Sequence, residues 1–361
     1  MEFSLTTTQK ELQESINKAL TKISSLERVR RHSQDRETFA SDVWQGLMDL
    51  GITGLMIPEA YGGLGLSILD AALVAESLGQ FVVPSPFLSS VILAPLTIMH
   101  AGNIDQKKQW LPSMASGQLR MGMALSEFTA GRRTDAGVNC RDNRLYGRSL
   151  FVIDDAGAHF FIVVDDEARL QMVDRGTPGL IVTSHTTIDR TRSTVRLDYD
   201  GAHCVELGPS NPQLVQFLAD VARLMLAADM LGASSKMLEQ AVNYAKLRQQ
   251  FGRPIGAFQA VKHMCAEMAA ELEPARALIW YAAYALDEQL PDATLACMHA
   301  KSYMAEASRL ISRSATEVHG GMGITDALGL HYWFKRNAWS YQALGSPERL
   351  REMAAQLQNP S

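Results

Sequence analysis

The chain has 361 residues, 47% of them hydrophobic and 20% charged, so it can bury a large core, and its length suggests two to three structural units. With 34 basic against 39 acidic residues the net charge is -5, which argues against nucleic acid or an anionic membrane surface as a partner. The four cysteines, Cys140, Cys204, Cys265 and Cys297, have no CxxC or metal spacing, no basic-plus-apolar leader opens the sequence, and runs such as Phe160 to Val164 are far too short to span a bilayer. These features predict a reduced, cytoplasmic protein without disulfides, structural zinc or a transmembrane helix.

In chain order, Leu12, Ile16, Leu20 and Ile23 share one face of a helix predicted over Thr7 to Ile23. A second helix, Phe39 to Leu50, stops at Gly51, and a turn-rich loop, Pro58-Glu59-Ala60-Tyr61-Gly62-Gly63, precedes a third at about Ser67 to Leu78. Helices at Pro86 to Ala101 and Gln106 to Ser116 complete an all-helical first unit, residues 1–117. The pattern then changes. Short β-branched or aromatic runs (Met121 to Leu125, Leu145 to Ile153, His159 to Val164, Gly179 to Thr183, Ser193 to Leu197), separated by Gly, Asp and Asn turns, predict a small antiparallel sheet domain over 118–207. From Gln213 the chain is helical again, with Leu214, Phe217, Leu218, Val221, Leu224, Met225, Ala228 and Leu231 at helical spacing, giving a third unit over 208–361. The fold class is thus α+β and mostly α.

The organising feature lies in the third unit, at Asn243 to His263, NYAKLRQQFGRPIGAFQAVKH. A long helix breaks at Phe251-Gly252-Arg253-Pro254-Ile255-Gly256, where two glycines and a proline stop it, and a second helix starts near Gln259. The break exposes Arg248, Phe251 and Gln259: a cationic fork, a flat apolar ring and an amide. Such a set suits a phosphate-bearing aromatic cofactor, because guanidinium binds pyrophosphate oxygens bidentately. An ordinary helix-turn-helix corner fits the same residues.

The segment YAKLRQQFGRPIGAFQAVKHMCAEM resembles the flavin-binding signature of the acyl-CoA dehydrogenase family. Leu50 to Gly65 (LGITGLMIPEAYGGLG) and Glu317 to Trp333 (EVHGGMGITDALGLHYW) resemble two further family segments in the family's order. The resemblance implies an N-terminal helical domain, a middle β domain and a C-terminal four-helix bundle, with FAD as cofactor, an acyl-CoA substrate and an electron-transfer flavoprotein as acceptor. On the matching motif positions, Arg248, Phe251 and Gln259 correspond to cofactor contacts, and Gly320 and Gly321 to the pair that lets backbone approach the adenosine portion. Glu317 stands where the family often has Gln, and can accept from a ribose hydroxyl or adenine amine but not donate.

The sheet region departs from the family. Ser126-Glu127-Phe128 stands for Thr-Glu-Pro or Ser-Glu-Pro, so Ser126 keeps a hydroxyl for the flavin, while the following Gly-Ser-Asp is not recognisable in Gly131-Arg132-Arg133-Thr134-Asp135. Phe151-Val152-Ile153 stands for Trp-Ile-Thr, so Phe151 replaces an aromatic shield and Ile153 removes a hydroxyl near the flavin's reactive nitrogen. Arg132 and Arg133 fit either CoA phosphates or a solvated charge pair.

Family chemistry is α,β-desaturation of the thioester, with a glutamate as base. Its two usual positions fall here at Ala222 and Leu344, so no catalytic residue is assigned. Asp220, two residues from the first, lies about 200° around the helix. Three readings follow: a subunit without its own base in a heteromeric dehydrogenase that acts on a bulky substrate such as a steroid acyl-CoA; a self-sufficient enzyme with an unusual base such as Asp220; or a flavin- or CoA-binding module without turnover. The apolar stretch Leu272 to Met304, with Trp280, Tyr281 and Tyr284, suits either an obligate interface or ordinary core.

Overall fold

A computed structural model describes residues 4–131 and 133–358. In chain order it contains α1 (Thr7–Ile23), α2 (Leu26–Asp35), α3 (Ser41–Asp49), α4 (Ile68–Gln80), a π-helical stretch (Phe87–Leu93) running into α5 (Ala94–Ala101), and α6 (Ile104–Ala115). Then follow β1 (Met121–Ala124), α7 (Ser126–Ala130), β2 (Gly137–Arg141), β3 (Arg144–Ile153), β4 (Phe160–Val164), β5 (Leu170–Asp174), β6 (Leu180–Ser184), β7 (Thr194–His203) and β8 (Val205–Glu206). The remainder is α8 (Pro212–Leu247), β9 (Gln249–Gln250), β10 (Arg253–Pro254), α9 (Gln259–Asp287), α10 (Ala293–His319), α11 (Leu330–Gln342) and α12 (Pro347–Gln358). No helix among the described residues is long and apolar enough to cross a membrane.

The chain forms two compact units: a sheet unit of residues 32–71 and 84–222, and a helical unit of residues 1–31, 72–83 and 223–361. In the sheet unit the strand order is β6-β7-β3-β1-β4-β5-β8, with β2 also on β3. Every ladder is antiparallel except β1 with β4, where Met121 pairs with Phe160 and Ala124 with Val163. The sheet is therefore mixed, correcting the antiparallel expectation; residues 125–159 supply the long crossover that parallel pairing needs. Leu145, Val152, Phe161, Val173, Val195 and Leu197 fill its core. The helix expected to start at Pro86 begins instead as a fully buried π-helical turn. There Ser89 donates from its backbone to Asp154 at 2.8 Å and from Oγ to the Ile153 carbonyl at 3.2 Å, while Ser90 Oγ donates to the Met121 carbonyl at 3.1 Å. These bonds fasten the turn to the ends of β1 and β3.

In the helical unit, α1 starts on a reciprocal cap in which Thr6 and Gln9 satisfy each other's backbone N–H groups, which fixes its first turn where the sequence placed it. α8 is buried around most of its girth from Leu218 to Ser234 rather than along one stripe. Two glycines explain how it packs so closely on α4: a Cβ at Gly79 would lie 2.0 Å from the Asp229 carbonyl oxygen, and one at Gly232 1.8 Å from that of Glu76. A buried ion pair spans the unit, Arg336 donating to Asp229 at 2.7 to 3.1 Å and to the Val83 carbonyl at 3.1 Å. Arg276 meets Glu76 at 2.6 Å, and Trp333 Nε1 donates to the Gln80 carbonyl at 2.9 Å.

Candidate functional site

In the helical unit, the break after α8 is a two-residue hairpin rather than a simple corner. Arg253 pairs with Gln250 and Pro254 with Gln249, and Phe251 and Gly252 both take positive φ, 51° and 77°, the signature of a tight turn matched to strand twist. The Ile255 amide donates to the Arg248 carbonyl at 2.8 Å, closing the hairpin onto the end of α8, and α9 starts at Gln259. Arg248 and Gln259 are exposed, and Phe251 at the hairpin tip is 91% exposed, with its ring edge-on to Phe258 at 6.2 Å. A non-glycine residue in a left-handed conformation with a bare aromatic ring is unfavourable for the isolated chain.

The glycine turn lies beside this hairpin. His319, the last residue of α10, packs its ring 4.6 Å from Tyr244, one turn before Arg248, and its Nδ1 meets the Ala315 carbonyl oxygen at 2.7 Å. Gly320 (φ 58°) and Gly321 follow, both exposed, and a Cβ added at either would meet nothing within 4 Å. Glu317 is exposed on the last turn of α10. Leu247, Phe251, Met322 and Ile324, 80%, 91%, 45% and 76% exposed, add an apolar surface to these two segments. The stretch Leu272 to Met304 is mainly core: Leu272, Ile279, Ala283 and Met304 are buried, and Trp280, Tyr281 and Tyr284 are half-buried.

The two positions usual for a glutamate base carry no acid. Ala222 is fully buried on α8, and Leu344 sits buried in the α11–α12 turn with φ 58°, next to Gly345 at φ 115°. Neighbouring carboxylates are engaged. Asp220 is 1% exposed and accepts from the Gln216 amide at 2.9 Å; Asp229 is held by Arg336. Glu348 accepts from Tyr341 at 3.4 Å, and hydrogen bonds from its own backbone and from Ser346 hold its carboxyl below the usual range.

Sequence reasoning missed two cations behind the Leu344 turn, Arg223 and Lys301, each with no exposed surface. Arg223 Nε donates to the Leu344 carbonyl at 3.2 Å, and Lys301 Nζ to the Tyr341 carbonyl at 3.3 Å. Burial, with Arg223 adding repulsion, pushes the Lys301 amine down to about 7. The signal was a lone Lys and a lone Arg inside the Ala- and Met-rich interior runs Ala296 to Met304 and Val221 to Leu231.

In the sheet unit, β3 bulges against β7: Ser149 pairs with Leu197 but Val152 with Val195, which leaves Leu150 and Phe151 opposite Arg196 alone. Phe151 takes φ 50° and is 47% exposed. Its neighbours flank a ring that stays exposed. Ser126 Oγ donates to the Phe151 carbonyl at 2.8 Å, so its proton is committed within the protein. The Arg133 guanidinium lies 5.0 Å from the Phe151 ring centroid, fixed by Glu127 through a 3.0 Å ion pair, and His185 packs on the ring at 5.3 Å. Ile153 is 3% exposed and offers no hydroxyl; Arg132 lies outside the described residues.

Retention and loss thus separate by unit. The helical unit presents an open cation, amide, ring and glycine platform, whose donor chemistry fits a dinucleotide's phosphates and adenosine. The sheet unit has turned the corresponding hydroxyl and aromatic ring to contacts with its own residues.

A family described as acyl-CoA dehydrogenase, N-terminal domain, matches residues 6–118, and one described as acyl-CoA dehydrogenase, C-terminal domain, matches 214–357. Acyl-CoA dehydrogenase IpdE2 of Mycolicibacterium smegmatis is 31% identical over 348 residues, 96% of this chain and 97% of that protein. Acyl-CoA dehydrogenase FadE27 of Mycobacterium tuberculosis is 27% identical over 370 residues, 99% of each. Among solved structures, the ChsE4-ChsE5 complex from Mycobacterium tuberculosis superposes with a TM-score of 0.90 at 26% identity, covering 99% of both chains. The Tcur3481-Tcur3483 steroid ACAD gives 0.88 at 28%, covering 97% of both.

Proposed function

Because the chain belongs to the acyl-CoA dehydrogenase family, we propose that it is the base-lacking half of a heteromeric, FAD-dependent acyl-CoA dehydrogenase. The observation that carries this is the division just described: Arg248, Phe251, Gln259, Gly320 and Gly321 stand open, while the Ser126 hydroxyl is spent on the Phe151 carbonyl and the Phe151 ring, though exposed, is engaged by Arg133 and His185. General erosion of function would have struck the anchoring hairpin as readily as the catalytic positions. A chain that lends its anchoring residues to a partner's cofactor needs only the first set.

In this role Arg248 binds pyrophosphate, Gln259 a polar edge, and the Gly320-Gly321 backbone passes close to the adenosine because no side chain intervenes. Phe251, with Leu247, Met322 and Ile324, is covered by the partner. Bound FAD supplies the hydride acceptor, and an electron-transfer flavoprotein receives the electrons. The partner contributes the glutamate that takes the α-proton, since Ala222 and Leu344 have no proton acceptor. Asp220 is no substitute, buried and already accepting from Gln216. Two heteromeric relatives, the ChsE4-ChsE5 complex and the Tcur3481-Tcur3483 steroid ACAD, support a bulky acyl-CoA as substrate.

The test is activity with an artificial electron acceptor on a panel of acyl-CoAs that includes steroid thioesters. The chain purified alone turns over none of them and becomes active only when co-expressed with a family member that carries the glutamate. Turnover by the chain alone would refute the assignment.

A further inference from the structure

The sheet unit holds a second feature that family chemistry does not use: a cavity of about 290 Å³ between the end of α2 with the segment that follows it and the loop joining β6 to β7. Thr194 and Arg192, 3% and 9% exposed, line it, His185 forms part of its wall, and the exposed Arg36 and Arg190 stand at its mouth. Its lining has three guanidiniums against two carboxylates, and both carboxylates are engaged: Glu37 meets the His32 ring at 3.1 Å, and Asp155 meets Arg175 at 3.4 Å. The Ser184 hydroxyl adds a further donor.

Two observations distinguish this cavity from an ordinary polar crevice. Thr194 Oγ1 is buried and has no hydrogen-bond partner, and the same is true of Nδ1 of the half-buried His185. Buried side-chain donors and acceptors are normally paired, and these two, in residues that line the cavity, become available to a ligand that uncovers them on entering. The wall is also rigid. Asp189, 2% exposed, accepts from the Thr191 amide at 2.9 Å and hydroxyl at 2.7 Å, and Thr187 Oγ1 donates to the Asp189 carbonyl at 2.6 Å. The loop that carries Arg190 and Arg192 is therefore fixed before any ligand arrives, which lowers the ordering cost of binding.

We propose that this cavity binds a small phosphate-bearing molecule, its phosphoryl oxygens taken by Arg36, Arg190 and Arg192 and by the Thr194 hydroxyl. A phosphate accepts many hydrogen bonds at once, which matches guanidiniums interleaved with hydroxyls better than a planar carboxylate does. The cavity is wide enough for more than the phosphate, and the Phe39 ring in its wall offers an apolar face to an attached group.

Isothermal titration calorimetry of the full chain at constant ionic strength tests this with three probes: inorganic phosphate, adenosine monophosphate and citrate. The phosphate-bearing probes are expected to bind one per chain at millimolar concentration or tighter, with citrate clearly weaker; a monophosphate tighter than inorganic phosphate identifies an ester, the reverse the free ion. Arg36→Ala with Arg190→Ala, at exposed positions that leave the fold intact, should weaken binding about tenfold or more. Thr194→Val should weaken it as well, with thermal unfolding as the check on folding. Absence of binding by both phosphate probes, equal binding by the Arg36/Arg190 variant, or citrate binding as tightly as phosphate would each overturn the proposal.

Discussion

Replacing Lys301 by Met should stabilise the protein at low pH and do progressively less as pH rises. Lys301 has no exposed surface, its ammonium donates to the Tyr341 carbonyl at 3.3 Å, and Arg223 is buried beside it. Desolvation and that second cation bring the amine down to about 7 from its ordinary 10.5. The unfolded chain keeps the proton to near 10.5 whereas the folded one releases it near 7, so unfolding takes up a proton between these values. Stability contributed by this group therefore rises with pH across that window. Carrying the charge at pH 6 costs at most roughly 5 kcal/mol relative to an exposed lysine, and the cost vanishes by about pH 10. Met keeps the stem's volume and removes the charge, so Lys301→Met should gain several kcal/mol at pH 6 and converge on the wild type near pH 10. Urea unfolding of both proteins at pH 6, 8 and 10 measures the difference. A gap of the same size at all three pH values, or a variant less stable at pH 6, would show that Lys301 is not held against its charge.

Arg248→Ala should weaken flavin retention by the assembly roughly ten- to hundredfold, the value of one charge-assisted contact, and leave unfolding unchanged because the side chain is exposed; flavin content after dilution reads it. Asp220→Asn keeps size and shape and should leave turnover of the reconstituted pair near wild type, so a hundredfold loss in the acceptor assay would restore Asp220 as the base. Asp229→Ala strips Arg336 of its carboxylate partner in a site only 3% exposed and should cost roughly 3–5 kcal/mol in denaturant unfolding, with Arg336→Met on the same background recovering part of it.

The sequence is legible where local rules and tertiary packing agree. α1 runs over the predicted Thr7 to Ile23 because its capping residues and its apolar face point to the same start. α2, LERVRRHSQD, was not read because Leu26 and Val29 are its only apolar residues. β5 was missed, although all but one of its residues are buried, since LQMVD has neither clean alternation nor flanking glycine. At the candidate site, the hairpin and glycine turn could be recognised because their backbone needs impose particular residues. The fate of Ser126 could not: its hydroxyl is committed to Phe151 by a bulge at Leu150 and Phe151, and Arg133 reaches the ring from a segment no local rule places there. The cations behind Leu344 were hidden for the opposite reason, since a helical pattern assigns Lys and Arg to the surface and only the fold shows Arg223 and Lys301 inside.

Counting flavins against chains in the intact assembly tests the heteromeric reading most directly. Native mass spectrometry of the co-purified complex, with absorbance quantitation of released flavin, should find this chain with a second family member and one FAD for each two chains. One FAD per chain, in an active assembly made of this chain alone, would contradict the account.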